Sequence, residues 1–241
     1  MGSTRFPGKM LAMLAGQTVL ERTYRQACQS QATQVLIATD HPDIAAEARR
    51  IGATTLLTDP ALPSGTDRMA AALAQLPQLP ARVVNVQGDE PFINPGHIDA
   101  VGSMLAAGAS IATLAMPVQS ADELANPNTV QVVLNRAGQA LYFSRWPIPY
   151  PRASGGRPDL SLYSYLRHVG IYGFQTEVLQ AVVAMPPSPL ELAESLEQLR
   201  WLEAGYAIQV QQVEGTGMGI DTPEDLAAAE AWLARNATGA K

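Results

Sequence analysis

The sequence predicts an α/β fold built on a mostly parallel sheet with helices on both faces. Short apolar segments alternate with segments of helical periodicity over the first half of the chain, and this βαβ order is typical of a parallel sheet with crossover helices. Apolar residues make up 47% of the 241 positions and charged residues 16%, which indicates a globular chain and excludes a disordered or coiled-coil one. Three strand-like segments end in an aspartate (Asp40, Asp59 and Asp89).

The spacing of apolar residues predicts the strands and helices of the first half of the chain. Strands are predicted where apolar residues run almost continuously, at 34–40, 54–59, 82–89 and 110–118. Helices are predicted where apolar positions recur every three or four residues, at 18–30, 41–51, 65–76 and 95–107. Gly52 ends the second helix, and Cys28 is expected to be a small core residue of the first.

The second half changes character. Strands are predicted at 130–134, 140–145, 166–174 and 207–213, and the turn at 135–138 is typical of a hairpin. Helices are predicted at 188–204, with Ser188 as cap, and at 222–235, with Thr222 as cap. The segment 146–160 is rich in proline and glycine, and we expect a mobile loop that acts as a lid or a dimer contact. We find no domain linker, so the prediction is one domain over 1–241.

Composition excludes several classes of protein. The net charge of −6 argues against a nucleic-acid partner. One cysteine excludes a disulfide framework, and the three histidines (His41, His97 and His168) are too far apart for a local metal cluster. The sequence contains no apolar run of membrane-spanning length and no export signal, so we expect a cytoplasmic protein with no membrane partner.

Gln87–Pro91 follows the clearest strand, and ligands of such sheets collect where the strands end. A carboxylate there, such as Asp89, is well placed to hold Mg²⁺ beside phosphates. Adjacent acids point in different directions, so only one of Asp89 and Glu90 needs to face the ligand. A simple strand-ending turn is the alternative.

Two short segments have the composition of phosphate-binding loops. Residues 2–9 combine glycines and hydroxyls with the cations Arg5 and Lys9, which could wrap a polyphosphate; a disordered basic terminus is the alternative. Residues 64–68 open a predicted helix, where free N–H groups could approach an anion, although plain capping explains Ser64 or Thr66 equally well.

Two further segments carry acidic or amide groups. Residues 215–225 are glycine-rich and lead into a capped helix, so Asp221 could be a second metal ligand; an ordinary loop is the alternative. Glu194 and Gln198 are four residues apart, which predicts a shared helix face able to contact sugar hydroxyls, or else a solvated surface. Neither a nucleophile motif nor a dinucleotide fingerprint occurs in the sequence.

Nine segments in order resemble one family, the 3-deoxy-D-manno-octulosonate (Kdo) cytidylyltransferases, or CMP-Kdo synthetases. They span nearly the whole chain: STRFPGK (3–9), IATDH (37–41), SGTDR (64–68), VNVQGDEP (84–91), NPNTVQVVL (126–134), ALYFSR (140–145), RHVGIYGF (167–174), SPLELAESLEQLR (188–200) and GIDTPEDL (219–226). Sialic acid cytidylyltransferases share the first loop, but the segments at 167–174 and 188–200 are similar to the Kdo branch.

The resemblance implies a three-layer α/β/α, Rossmann-like nucleotidyltransferase with an inserted β-hairpin region over about 126–174 that would form a homodimer. It implies transfer of CMP from CTP to Kdo with release of pyrophosphate, for lipopolysaccharide biosynthesis, and Mg²⁺ as cofactor. Lys9, Asp89 and Asp221 would be catalytic, the two aspartates being the metal ligands. The nucleotide would contact Ser3, Arg5, Lys9, Ser64, Gly65, Thr66 and Arg68. Kdo would contact Gln87, Arg145, His168, Tyr172, Glu194 and Gln198.

One feature departs from the family pattern. The family begins with an apolar strand that runs into Pro-Ala-Arg, whereas this sequence starts at Met1-Gly2, inside that motif. We expect that Met1 is an internal residue of a longer natural protein, or else that the chain is a shortened form. Without that central strand the chain would leave backbone groups unpaired, and we expect it to fold poorly or to lack activity. A cytidylyltransferase for 8-amino-Kdo or a sialic acid, and an inactive CTP-binding form, are the alternative functions.

Overall fold

The computed structural model describes residues 6–215 and 219–237, and all structural statements below refer to these. Their strands are Met13–Leu14 (β1), Gln17–Thr18 (β2), Leu36–Thr39 (β3), Thr54–Leu57 (β4), Arg82–Asn85 (β5), Ile111–Pro117 (β6), Gln131–Leu134 (β7), Ala140–Ser144 (β8), Leu166–Gln175 (β9) and Ile208–Gln212 (β10). Their α-helices are Val19–Ala27 (α1), Pro42–Arg50 (α2), Gly65–Leu73 (α3), Pro95–Ala106 (α4), Ala121–Ala125 (α5), Thr176–Val183 (α6), Pro189–Glu194 (α7), Gln198–Glu203 (α8) and Pro223–Ala237 (α9). Short 3₁₀ turns lie at Lys9–Leu11 and Arg152–Ser154.

Side-chain caps fix where several helices begin. Thr18 Oγ1 accepts a hydrogen bond from the Glu21 amide, which starts α1. Ser188 and Glu191 form a reciprocal capping box at α7, with Pro189 in the first turn. The Asp225 amide donates to Thr222 Oγ1 at 3.2 Å, which confirms Thr222 as the cap of α9.

The described chain divides into two compact units. The first takes its residues from the ranges Met1–Leu79, Asn85–Asp99 and Thr216–Lys241. In it, β3 and β4 pair in parallel and α1 and α2 pack over a core of Leu20, Ile37, Ile44, Ala48 and Ala53. A second core cluster of this unit joins Leu14, Val19, Ile220 and Ala229. Alternating residues of β3 are buried, so this pair of strands supports one apolar face.

The second unit takes its residues from Pro80–Val84 and Ala100–Gly215. Its sheet has the order β10-β6-β9-β7-β8, and β5 also pairs with β9. β10 and β6 are parallel, whereas β6 with β9, β9 with β7 and β7 with β8 are antiparallel. Six of the seven residues of β6 are buried, which identifies β6 as the central strand of this core.

The predicted α/β class is confirmed, with antiparallel strands added to the parallel ones. The elements of the first half lie where periodicity put them, but β5 ends at Asn85, so the predicted strand at 82–89 was too long. After Asn85 the ladder stops, and Gly88 and Asp89 form a turn.

Two predictions about the helices were wrong. The single helix predicted at 188–204 is broken, because Ser195 adopts a left-handed conformation (φ 52°) between α7 and α8. Cys28 is not a core residue: α1 ends at Ala27, and Cys28 is exposed in the position that follows.

Some predictions stay predictions. Among the described residues, β3 pairs with no strand besides β4, and the expected loss of a central strand is neither established nor refuted by this. The extent of a single domain over 1–241 likewise stays a prediction. In the described part of the chain, no helix has both the length and the apolar character needed to cross a membrane.

Candidate active site

Three charged residues from distant parts of the chain meet in the first unit. Lys9 Nζ donates a hydrogen bond to Asp221 Oδ1 at 2.8 Å and a second, very short one to Asp89 Oδ2. The predicted convergence of Asp89 and Asp221 is therefore present in the structure, and the group that joins them is the Lys9 ammonium. The lysine and Asp89 are mostly buried, whereas half of the Asp221 side chain is exposed.

Backbone contacts hold the two aspartates in place. The Ile220 amide donates to the Asp89 carbonyl at 2.9 Å, so the segment before α9 is bonded directly to the turn after β5. The side chain of Asp225, in the first turn of α9, accepts hydrogen bonds from the amides of Asp221 and Thr222 at 3.0 and 2.9 Å. Hydrogen bonds thus hold the main chain at both aspartates.

Lys9 reaches the aspartates from the start of a 3₁₀ turn. Gly8 precedes it with φ 76°, a left-handed conformation that glycine adopts without strain. The Gly88 carbonyl accepts a hydrogen bond from Thr23 Oγ1, and Met10 lies so close to Gly88 that a Cβ there would be 3.1 Å from its sulfur. The loop of Lys9 and the turn of Asp89 therefore pack against each other.

The electrostatics of this cluster favour a charged lysine. Burial by itself acts to lower the pKa of Lys9, but the hydrogen bonds and charges of Asp221 and Asp89 outweigh it and raise the pKa above its usual value. The ammonium therefore supplies one positive charge to two carboxyl groups.

Glu90, the second of the two adjacent acids, has its carboxylate beside Gly219 in the segment before α9. A Cβ built on Gly219 would lie 2.9 Å from Glu90 Oε1, so the Glu90 carboxylate would have to shift to accommodate a side chain at position 219. Among the described residues, no group of three or more histidine, cysteine, aspartate or glutamate side chains could hold a metal ion. Protein ligands for a cation at this site would therefore be the two aspartates.

The N-terminus of α3 lies beside the amides of Asn85 and Gln87. Ser64 Oγ accepts from the Asp67 amide at 3.1 Å, so the capping interpretation of Ser64 is confirmed. A Cβ on Gly65 would meet Asn85 Nδ2 at 3.6 Å and Gln87 Nε2 at 3.9 Å, which places two side-chain amides at the first turn of the helix. Asn85 was missed by sequence reasoning, although its place at the end of β5 was a usable signal.

Arg68 is held on the same helix. Its Nη1 donates to Thr58 Oγ1 at 2.6 Å and its Nη2 to Asp40 Oδ2 at 3.1 Å. Asp40 directly follows β3, so one of the predicted strand-end acids fixes the orientation of this guanidinium. Thr66 is buried in the first turn of α3. Ser3 and Arg5, predicted nucleotide contacts, lie outside the described residues.

The remaining predicted sugar contacts belong to the second unit, apart from Gln87. His168 and Tyr172 lie on one face of β9 with ring centroids 5.0 Å apart, and Trp201 and Phe143 pack on them edge to face. Burial lowers the pKa of His168 to about 3, so its imidazole is neutral. Burial, followed by the charge of Glu197, raises the pKa of Tyr172 well above its usual value.

Hydrogen bonds indicate which nitrogen of His168 carries its proton and what surrounds the Tyr172 hydroxyl. Thr113 Oγ1 donates to the Ile171 carbonyl at 2.6 Å and lies 2.9 Å from His168 Nε2, so the histidine nitrogen is the donor to that hydroxyl. The hydroxyl of Tyr172 is buried and makes no hydrogen bond of good geometry among the described residues, although the Thr113 side chain lies near enough to oppose the rise in its pKa. A buried donor of this kind is uncommon and is a candidate ligand contact.

The side chains of Arg145 and Glu194 each form hydrogen bonds with the main chain of the other residue. Glu194 accepts from Ser144 Oγ at 2.7 Å and from the Arg145 amide at 2.9 Å. The Arg145 guanidinium donates to three backbone carbonyls, those of Pro127, Glu194 and Ser195. The predicted shared helix face of Glu194 and Gln198 was wrong, because Ser195 separates α7 from α8 and Gln198 is buried.

Comparisons with known proteins agree with one another. The cytidylyltransferase family model matches residues 1–211. The chain belongs to the cytidylyltransferase family. Curated 3-deoxy-manno-octulosonate cytidylyltransferases are similar over almost their full length: that of Polynucleobacter necessarius is 47% identical (98% of this chain, 93% of the relative), and that of Cytophaga hutchinsonii is 43% identical (93% and 90%). Membership in this branch of the family is therefore shown, as the sequence motifs predicted.

Solved structures give the same result. A structure of CMP:2-keto-3-deoxy-manno-octonic acid synthetase complexed with CTP superposes with a TM-score of 0.89 at 38% identity, covering 98% of this chain and 95% of that one. The 4-diphosphocytidyl-2C-methyl-D-erythritol synthase of Anaerococcus prevotii has a TM-score of 0.64 at 14% identity, covering 94% and 93%. The second likeness shows that the fold is shared, and no more.

Proposed function

We propose that this protein transfers CMP from CTP to Kdo, giving CMP-Kdo and pyrophosphate for lipopolysaccharide biosynthesis. The observation that carries the proposal is the meeting of Lys9, Asp89 and Asp221 in a chain of this family. The anomeric hydroxyl oxygen of Kdo forms a bond to the α-phosphorus of CTP, the bond to the pyrophosphate oxygen breaks, and the hydroxyl proton leaves to solvent. Both reactants are anions, so the work of the site is to bring their charges together.

Mg²⁺ is the proposed cofactor, and the donor set fits it. Asp89 and Asp221 offer carboxylate oxygens at a position where the structure already holds a positive charge. Mg²⁺ is commonly bound by one or two carboxylates together with substrate phosphates, and two protein carboxylates is the number found here. When bound, the ion would neutralise phosphate charge and lower the pKa of the sugar hydroxyl.

The chain's own residues have separable roles. Lys9 neutralises phosphate charge, and Ser64, Gly65, Thr66 and Arg68 surround the nucleotide from α3. The amides of Gln87 and Asn85 offer donors and acceptors beside the first turn of that helix. Ser3 and Arg5 are proposed phosphate contacts on the basis of the family resemblance alone.

The family resemblance assigns Kdo to polar groups of the second unit, and Gln87 stays a proposed contact on that resemblance alone. The buried hydroxyl of Tyr172 and the neutral imidazole of His168 suit an uncharged part of the sugar, such as its hydroxyl groups. Arg145, Glu194 and Gln198 complete the proposed set, and Arg145 would have to exchange a carbonyl partner to bind the sugar carboxylate.

A homodimer is proposed from the surface of the second unit. Four large side chains of residues 141–162 are strongly exposed, with Trp146 at 76% and Tyr150 at 70%, in addition to Leu141 and Leu162. Exposed aromatic residues of this size are typical of interfaces. We place the protein in the cytoplasm, where CTP is made and where an exposed thiol such as Cys28 stays reduced.

The test is pyrophosphate release from CTP and Mg²⁺ with Kdo, 8-amino-Kdo and a sialic acid, with the product identified by mass spectrometry. We expect the largest kcat/KM for Kdo. Turnover of the sialic acid without turnover of Kdo would reject the proposal. CTP-dependent thermal stabilisation without any product would instead favour the inactive CTP-binding form.

A further inference from the structure

Lysine is almost absent from this chain. The sequence has 16 basic residues, of which the lysines are Lys9 and Lys241 and the others are arginines. Lys241 is the last residue, so Lys9 is the single lysine within the body of the sequence. Arginine makes planar, two-pronged contacts with carboxylates, whereas lysine is a compact point charge on a flexible stem. The cation between Asp89 and Asp221 is therefore a lysine, whereas every other basic residue before the C-terminal Lys241 is an arginine.

The contacts of Lys9 leave little room for a second cation. Its ammonium donates to one oxygen of each aspartate, and its side chain is only 12% exposed. A divalent ion that used both carboxylates would meet this positive charge a few ångströms away, and two cations at such a distance repel strongly in a partly buried site. The two aspartates can therefore serve the lysine or the metal ion, but not both at full strength.

We propose that Lys9 is an internal counter-ion that keeps the Asp89–Asp221 pair closed to divalent cations until a nucleotide triphosphate draws its ammonium away. This inference rests on the proposed function for the assignment of the metal site. The flexible stem lets the ammonium turn to a phosphate, and the two carboxylates are then available to the ion that arrives with the nucleotide. Metal binding is thereby conditional on nucleotide binding, and by linkage each ligand strengthens the other.

The main chain at both aspartates is held by hydrogen bonds that would remain when Lys9 moves away. The Ile220–Asp89 main-chain bond and the Asp225 bonds to the amides of Asp221 and Thr222 do not involve Lys9. When the lysine leaves, these bonds keep the two main-chain segments together, so both carboxylates stay near the site for its second occupant.

The first experiment measures Mn²⁺ binding without nucleotide, by calorimetry and by the electron paramagnetic resonance of free Mn²⁺. We expect Lys9→Met to bind Mn²⁺ about tenfold more tightly than the wild type, within the usual range of coupling between two ligands. Arg49→Met removes one charge from an exposed position of α2 in the same unit and should leave the affinity unchanged. Equal or weaker binding by Lys9→Met overturns the proposal, as does a gain that persists in the double variant Lys9→Met/Asp89→Asn.

The second experiment needs no variant. Labelling with [¹³Cε]lysine gives two resonances in the wild type, from Lys9 and Lys241. CTP without metal should shift the Lys9 resonance, and millimolar Mg²⁺ without nucleotide should not. Any other pattern overturns the proposal.

These results are independent of the catalytic assay. A protein that shows both results but forms no CMP-Kdo retains the inference and loses the proposed function. A protein that forms CMP-Kdo while Lys9→Met and the wild type bind Mn²⁺ equally loses the inference alone.

Discussion

Two clusters of charged side chains in the described part of the first unit are built differently. Glu21 of α1 accepts hydrogen bonds from Arg25 and Arg50, and Arg50 also binds Glu47, which receives a further bond from Thr18 Oγ1. The other cluster is Lys9 with Asp89 and Asp221. Every carboxylate of the Glu21 cluster is met by a guanidinium, and every element involved is a helix or its cap. The lysine cluster instead connects three loops.

The difference between the clusters indicates which one keeps its ion pairs during function. Hydrogen bonds from Arg50, opposed by burial, lower the pKa of Glu21 and of Glu47 below their usual values, so both are ionised partners of a fixed network. In the lysine cluster the shared cation is an ammonium on a flexible stem, which donates to one oxygen of each carboxylate. A network of guanidinium forks stabilises the helices, whereas a flexible ammonium is suited to leave its partners when another anion arrives.

The sharpest test of this contrast removes a charge from each aspartate. Asp89→Asn and Asp221→Asn should each lower kcat by about 10³-fold, because a neutral amide replaces a proposed metal ligand. Circular dichroism and the melting temperature should stay close to wild type. Steady-state pyrophosphate release checks this, and a variant that retains more than a tenth of the wild-type rate removes that aspartate from the site.

Exchange of the two cation types gives the next largest effect. Lys9→Arg should lower kcat/KM by about 10- to 100-fold, since a guanidinium fork binds both carboxylates and releases them less readily. The reciprocal change, Arg50→Lys, should leave turnover unchanged and lower the melting temperature by only about 1 °C, because that side chain is mostly exposed. Equal kinetic effects of the two substitutions would contradict the distinction between the clusters.

Loss of the central carboxylate in the fixed network should affect stability alone. Glu21→Gln leaves Arg25 and Arg50 without their shared partner, and we expect a loss of about 1–2 kcal/mol in the free energy of unfolding. Urea denaturation followed by tryptophan fluorescence measures it, with Glu230→Gln at an exposed position of α9 in the same unit as the matched control. A kcat that falls with stability would show that the network also supports the site.

The smallest effect is a pH dependence. The folded-state pKa values of Glu21 and Glu47 are lowered, so their contribution to stability is complete above the unfolded value of about 4.5 and is lost as the pH falls toward the folded values. Between pH 6 and 3.5, the melting temperature of the wild type should fall more steeply than that of Glu21→Gln. Parallel curves for the two proteins would exclude Glu21 as a source of acid sensitivity.

Sequence reasoning found the elements whose pattern is local. The strands at 34–40 and 54–59 and the helix at 41–51 were predicted because their apolar spacing and Gly52 define them without reference to the rest of the chain. The break at Ser195 was missed, since helical spacing continues through it and only the backbone angle shows the interruption. The exposure of Cys28 was missed for a related reason, because the end of α1 has no glycine to mark it.

The candidate site was accessible from the sequence only in part. Family motifs predicted that Asp89 and Asp221 converge, but no local pattern places Lys9 between them, since the contacts join residues 80 and 212 positions apart. Asn85 was missed because a strand was expected to run through it. Long-range contacts depend on how the chain folds back, which periodicity does not describe.

The main-chain bond between Ile220 and Asp89 has an evolutionary consequence. It ties the stems of two loops, so the spacing of their acidic groups does not depend on how many residues lie between them in the sequence. Insertions and deletions in that interval can accumulate without altering this spacing, and relatives with very different middle regions could retain the same pair of acids.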